Sequence, residues 1–109
     1  GSDRSYAIRY RITSSGSSSY LFSGPGLVNT TGNPNIYLQR GFTYIFENTT
    51  GSTHPFAIRY SPNGTGYGST YLSGSQSGTQ IFTVPFDSPA TLNYQCTAHA
   101  GMVGTITIA

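Results

Sequence analysis

Few residues of this chain have a sulfur or an imidazole, the groups that bind soft and borderline metals, and most of them lie close together in sequence. The 109 residues include one cysteine, one methionine and two histidines. Cys96, His99 and Met102 form a C-x2-H-x2-M segment near the C-terminus, and His54 lies well upstream. A single cysteine cannot form an intrachain disulfide. Cys96 is therefore a free thiol, an intermolecular partner, a nucleophile or a metal ligand.

The donor atoms of these four residues suit a single copper ion. A thiolate and two imidazoles can form a trigonal plane around copper, with a weak thioether above it. Thiolate and thioether favour Cu(I), whereas imidazole accepts both oxidation states. We therefore predict a mononuclear copper site made by His54, Cys96, His99 and Met102. Three ligands should lie on one loop between adjacent strands, and His54 should approach from a neighbouring strand of the other sheet.

Other interpretations of the same residues remain open. Zinc also binds cysteine and histidine, although a structural zinc site more often uses further Cys or His in place of methionine. A nucleophilic dyad of Cys96 and His99 would need an oxyanion hole and a third orienting group, and the sequence displays neither. Multinuclear copper oxidase centres need more histidines than this chain has. Taken singly, the residues also fit a buried thiol, loop histidines and a core methionine.

The composition predicts one all-β domain. Nine Tyr, six Phe and many Thr suit a pleated, half-buried surface, while lysine is absent and other helix formers are scarce. The length fits a single domain. We interpret Gly1-Ser2 as a cloning scar and residues 3–109 as that domain.

Short segments with alternating apolar residues predict seven or eight strands. They cover residues 6–12, 20–22, 35–39, 42–47, 54–60, 80–84, 91–96 and 103–109. The Arg40-Gly41 turn predicts a hairpin between 35–39 and 42–47. The long Gly-, Ser- and Asn-rich stretch 61–78 has no pattern that assigns its structure, and we expect it to cover one flank of the sandwich. This number of short strands with frequent turns indicates a Greek-key β-sandwich.

Charge and hydropathy exclude some classes of function. The net charge of +2 comes from scattered arginines, not from the clustered basic stripe of a nucleic-acid-binding surface. No apolar stretch approaches the roughly 18 residues needed to span a membrane. Only 7% of the residues are charged, against about a quarter in typical soluble domains. We therefore expect an extracytoplasmic location, in the periplasm, secreted or on a virion surface.

The segment Tyr94 to Gly104 resembles the copper loop of the cupredoxins, the blue or type 1 copper proteins. Its spacing is similar to that of amicyanin, and it is shorter between His and Met than in plastocyanin. Residues 41–48 followed by His54 are similar to the strand and loop that deliver the first histidine in that family. The resemblance covers residues 33–109 and implies a cupredoxin-like fold with one copper ion.

The resemblance also implies a role for each ligand. His54 would be the buried imidazole, Cys96 the thiolate, His99 the imidazole whose edge faces solvent, and Met102 the axial ligand. One position departs from the pattern. Cupredoxins usually have asparagine after the first histidine, and its backbone N–H points at the cysteine sulfur. Here that position is Pro55, which has no N–H.

The resemblance implies electron transfer, with a redox partner docking at the His99 edge, and no enzymatic activity. Small or apolar residues would surround this edge: Pro55, Ala98, Ala100, Gly101 and Val103. A different hypothesis is a structural module of a secreted, surface or virion protein, with copper or without it. It draws on the low charge and on a looser resemblance to phage structural proteins. A third is copper storage or delivery, which predicts a more open site.

Overall fold

The computed structural model describes residues 7–27 and 31–109 and consists of short strands with one 3₁₀ turn, Gly51–Thr53. The strands are β1 (Ile8–Ser15), β2 (Ser19–Ser23), β3 (Ile36–Leu38), β4 (Thr43–Asn48), β5 (Phe56–Arg59), β6 (Leu72–Gly74), β7 (Thr79–Thr83), β8 (Thr91–Cys96) and β9 (Val103–Ile108). Gly1-Ser2 and the predicted start of the first strand at Tyr6 lie outside the described residues.

The strands form two sheets that stack as a sandwich. One sheet has the order β2-β1-β4-β7-β6, and the other has the order β3-β9-β8-β5. Most neighbours are antiparallel, but β1 pairs with β4 and β3 pairs with β9 in parallel. Several connections pass from one sheet to the other, as they do in Greek-key sandwiches. The predicted all-β sandwich is confirmed.

Alternating side chains from both sheets form one core rich in aromatic rings. On β4 the inward residues Tyr44 and Phe46 are buried, and so are Leu92 and Tyr94 on β8. Rings meet edge to face, as Tyr94 does with Phe22 at 5.0 Å between centroids. Burying a side chain of this size contributes about 1.5–3 kcal/mol to stability. This core holds the two sheets together and fixes their separation.

The predicted hairpin between residues 35–39 and 42–47 is wrong. β3 pairs with β9, whereas β4 lies in the opposite sheet between β1 and β7. The turn at Gly41, which has φ +86°, switches the chain between sheets. Its N–H donates to the Val84 carbonyl, and the N–H of Arg40 donates to that of Ala109. Each strand buries its apolar face whichever partner it has, so the local pattern could not identify the partner.

Within 61–78, whose structure the sequence pattern left open, the chain forms the edge strand β6, which pairs with β7. One further prediction needs correction. His54 was expected on a strand of the sheet opposite Cys96. Instead it precedes β5, which pairs with β8 in the same sheet. No helix among the described residues is long and apolar enough to cross a membrane.

Candidate metal centre

Three of the four predicted ligands meet where β5 begins and β8 ends. Cys96 is the last residue of β8, and Phe56, the first residue of β5, lies opposite it in the ladder. His54 comes two residues before Phe56 and therefore lies beside Cys96. His99 lies on the loop from β8 to β9. This antiparallel pair of strands therefore brings residues distant in sequence to one end of the sandwich.

The donor atoms are close enough for a shared ion. The Nδ1 atoms of His54 and His99 lie 3.2 Å apart. The sulfur of Cys96 lies 3.8 Å from Nδ1 of His54 and 3.7 Å from Nδ1 of His99. Ligands placed about 2.0–2.3 Å from one ion in a trigonal plane are about 3.5–3.8 Å apart. The observed separations fit an N2S set after only a small opening of the histidine pair.

Burial differs among these side chains. Cys96 and His54 are 2% and 5% exposed, whereas His99 is partly exposed. Met102 is fully buried. Its N–H donates to the His99 carbonyl at 3.0 Å, and its carbonyl accepts from the N–H of Cys96 at 2.9 Å. The loop from Cys96 to Met102 is thus closed by its own backbone, with His99 at its exposed side.

Three hydrogen-bond donors surround the carbonyl of His54. It accepts from Asn48 Nδ2 at 2.8 Å, and the hydroxyls of Tyr20 and Thr50 lie 2.9 Å and 3.0 Å away. Each hydroxyl has one proton, which Tyr20 shares with the Pro55 carbonyl and Thr50 with Asn48 Oδ1. Asn48 also donates to the Gln76 carbonyl at 2.9 Å. A buried carbonyl with this many donors strongly resists rotation of its peptide group. The backbone that carries the His54 imidazole is therefore fixed by the protein itself.

Tyr20 reaches the site from β2, in the opposite sheet. Its hydroxyl lies 2.9 Å from the His54 carbonyl and 3.0 Å from the Pro55 carbonyl. Burial, with a smaller effect from Cys96, raises the pKa of Tyr20 far above its usual value. The phenol consequently stays neutral and acts as a donor. It ties the two sheets together at the candidate metal centre.

The loop from β8 to β9 has its own anchors. Asn33 Nδ2 donates to the Gly101 carbonyl at 3.4 Å, and Gln95 Nε2 donates to the Ala100 carbonyl at 2.8 Å. The Ala98 N–H points at the Cys96 sulfur, 3.4 Å away. Backbone and side-chain groups thus hold this loop from both sides.

Sequence reasoning missed the residues that support the site. Gln95 occupies a strand position where a polar residue usually faces solvent, Asn48 ends the inward face of β4 at the start of a polar turn, and Tyr20 fits a core aromatic. Nothing in their spacing relates them to His54 or Cys96. Many of their partners are backbone groups, which leave no trace in residue types, so only the fold could identify them.

The residues close to the two histidines in sequence have small or apolar, uncharged side chains. Ala98, Ala100 and Gly101 are exposed, and Pro55 and Val103 are partly exposed. We call these five residues the His99 patch. These are the residues that were expected to surround His99, and all five reach the surface.

Comparisons with known proteins agree with this geometry. No curated protein sequence matches the chain. Among solved structures, the reduced Cu(I) form at pH 4 of an amicyanin variant aligns with a TM-score of 0.54 at 16% identity, over 94% of this chain and 82% of that chain. Amicyanin from Paracoccus versutus (Thiobacillus versutus) aligns with a TM-score of 0.51 at 18% identity, over 94% and 81%. These likenesses confirm the fold.

The sequence itself identifies the family. Residues 31–109 match the family described as copper binding proteins, plastocyanin/azurin family. This segment includes His54, Cys96 and His99, whose donor atoms all lie within 4.8 Å of one another. The predicted copper cofactor is thereby confirmed. The chain belongs to the plastocyanin/azurin family of copper-binding proteins, the cupredoxins.

Proposed function

We propose that the protein is an electron carrier whose single copper ion is bound by His54, Cys96, His99 and Met102. The convergence of two imidazole nitrogens and one thiol sulfur at one end of the sandwich carries this proposal. The bound ion would supply a centre that takes up and releases one electron, alternating between Cu(I) and Cu(II). No substrate bond is made or broken, so we propose a carrier and not an enzyme.

The protein's own groups are arranged to keep such a centre rigid and dry. His54 and Cys96 are almost fully buried, which limits the access of water. The three donors to the His54 carbonyl fix one side of the site. The backbone bonds of Met102 fix the other side. A preformed donor set requires little reorganisation on electron transfer, whereas copper delivery would favour a more open site.

His99 is the route by which we propose the electron enters and leaves. It is the partly exposed member of the group, and the His99 patch surrounds it with uncharged side chains. Such a surface allows a redox partner to dock briefly, in an encounter that typically buries less than about 1,200 Å². Residues 3–109 would act as one domain in this role. We place the protein outside the cytoplasm, on the basis of its low charge.

A charge placed on the His99 patch tests this route. In Ala100→Glu, two patches that meet during electron self-exchange would repel each other at low ionic strength. Ala90→Glu is the matched control. Ala90 is exposed and precedes β8, whose six residues separate it from Cys96 by about 20 Å. We expect self-exchange in the copper-loaded protein, measured by NMR line broadening, to slow at least 10-fold in Ala100→Glu alone.

The result discriminates between functions. Recovery of the rate at high salt in Ala100→Glu would support docking through the His99 patch, because salt screens the repulsion. Equal rates in both variants and the parent would contradict it. In that case the structural-module hypothesis, which the low charge also favours, would become the better explanation.

A further inference from the structure

Gln95 is buried at a position where a strand residue normally faces solvent. It lies on β8 between Tyr94 and Cys96, which are both in the core. Side chains alternate along a strand, so Gln95 points to the outer face of its sheet. Its exposure is nevertheless 0%. The chain therefore covers this amide with other residues, and the amide must find its hydrogen bonds inside that cover.

The Gln95 amide makes four hydrogen bonds. Its Oε1 accepts from Arg59 Nη1 and from the Asn63 backbone N–H, both at 2.7 Å. Its Nε2 donates to Asn63 Oδ1 at 3.1 Å and to the Ala100 carbonyl at 2.8 Å. A carboxamide offers two lone pairs and two N–H groups, so its capacity is fully used.

The orientation of this amide is determined by its partners. Two of the four, the Asn63 N–H and the Ala100 carbonyl, are backbone groups whose donor and acceptor roles are fixed. Turning the amide over would place oxygen against the carbonyl and N–H₂ against the N–H. The two polar atoms of the amide therefore bond to different parts of the protein. Oε1 accepts from Arg59, and Nε2 donates to the loop that carries His99 and Met102.

We propose that Gln95 is a positioning residue that holds the loop between His99 and Met102 in its metal-binding shape before the metal arrives. This inference rests on the proposed copper site. Ala100 lies between His99 and Met102 in sequence, so fixing its carbonyl restricts both. Because Arg59 is on β5, the amide also connects this loop to the strand that follows His54.

Replacing Gln95 by glutamate keeps the hydrogen bonds that the side chain accepts and removes the one that it donates to the loop. The carboxylate still accepts from Arg59 and from the Asn63 N–H. Its second oxygen, however, faces the Ala100 carbonyl and cannot donate to it. Asn93→Asp is the matched control. Asn93 is the preceding outward residue of β8, and its Nδ2 donates to the Gly104 carbonyl at 3.0 Å, away from the loop.

The first measurement uses metal-free protein and amide hydrogen exchange. We expect the Met102 N–H, which donates to the His99 carbonyl, to exchange at least 10-fold faster in Gln95→Glu than in Asn93→Asp. The N–H of Ile106, opposite Leu92 in the ladder, should exchange at similar rates in the two variants. Equal exchange at Met102 would overturn the proposal. If Gln95→Glu fails to fold, Gln95→Met removes the same hydrogen bond without the repulsion. We expect the Met102 N–H to exchange faster in this variant than in Asn93→Asp as well.

The second measurement uses copper-loaded protein. We expect Cu(I) affinity to fall about 10-fold in Gln95→Glu, with altered relative intensities of the visible Cu(II) bands, and neither change in Asn93→Asp. Parent-like affinity and bands in Gln95→Glu would contradict the proposal. A parent protein that binds no copper would overturn the proposed function and the metal-directed role of Gln95 together. The exchange result would still decide whether Gln95 holds the loop.

Discussion

At the residue scale, Pro55 is a position where this chain departs from the family pattern. Its carbonyl accepts from the Thr97 N–H at 3.2 Å, so it lies beside the end of β8. The Cys96 sulfur accepts from the Ala98 N–H, and Pro55 has no N–H to offer. Hydrogen bonds to the sulfur stabilise the thiolate and tune the reduction potential. The thiolate should therefore be more electron-rich here than with asparagine at position 55.

We predict that Pro55→Asn and Pro55→Ala both raise the reduction potential. Each variant supplies a backbone N–H, and a net hydrogen bond of about 1 kcal/mol corresponds to about 40 mV for one electron. Protein-film voltammetry measures this shift. Pro85→Ala, at the opposite end of the sandwich, should leave the potential unchanged. No rise in either Pro55 variant would contradict the prediction, and a rise in Pro55→Asn alone would assign the effect to the side chain.

At the element scale, the connection from β4 to β5 decides where His54 lies. Asn48, the last residue of β4, accepts from the Thr50 N–H at 3.0 Å and donates to the carbonyls of His54 and Gln76. One buried side chain thus organises the turn that contains the 3₁₀ segment. The position of His54 depends on this turn as well as on β5.

We predict that Asn48→Ala destabilises the protein by about 1–3 kcal/mol, because it removes the hydrogen bonds of a buried side chain with the His54 and Gln76 carbonyls and with the Thr50 N–H. It should also lower Cu(I) affinity about 10-fold. Asn93→Ala is the control, since Asn93 is equally buried but bonds to Gly104. Thermal melting and chelator competition measure the two effects. Equal Cu(I) affinity in the two variants would mean that Asn48 does not position His54.

Also at the element scale, the sequence predicted features that lie within one segment and missed those that depend on pairing between segments. The C-x2-H-x2-M spacing lies within one loop, so the pattern was sufficient to predict that Cys96, His99 and Met102 lie together. The alternation of apolar residues was sufficient for most strands. The partner of β3 and the sheet of β5 depend on contacts between distant segments, and a strand buries the same face in either arrangement.

At the scale of the whole molecule, buried tyrosines couple stability to alkaline pH. Burial raises the pKa values of Tyr10, Tyr20, Tyr44 and Tyr94 above the usual 10. Their folded forms therefore keep protons that the unfolded chain loses above pH 10. The contribution of these tyrosines to the free energy of unfolding is therefore fully present below pH 10. It declines as the pH rises further, by up to about 1.4 kcal/mol per pH unit for each tyrosine.

We predict that the melting temperature of the metal-free protein falls steeply between pH 10 and 12. Tyrosinate absorbance should rise together with unfolding for the buried rings. Tyr94→Phe should reduce the slope of stability against pH, whereas Tyr37→Phe should not, since Tyr37 is 67% exposed. Complete ionisation of the tyrosines near pH 10 in a protein that stays folded would contradict this account.

The central claim is that His54, Cys96 and His99 meet around one copper ion, and a Cu(II) titration tests it most directly. Metal-free protein and Cys96→Ala would be titrated while the visible spectrum is recorded. We predict an intense charge-transfer band that saturates at one equivalent, disappears on reduction and is absent from Cys96→Ala. No such band in the parent, with no change in its melting temperature, would mean that these residues do not form a copper site.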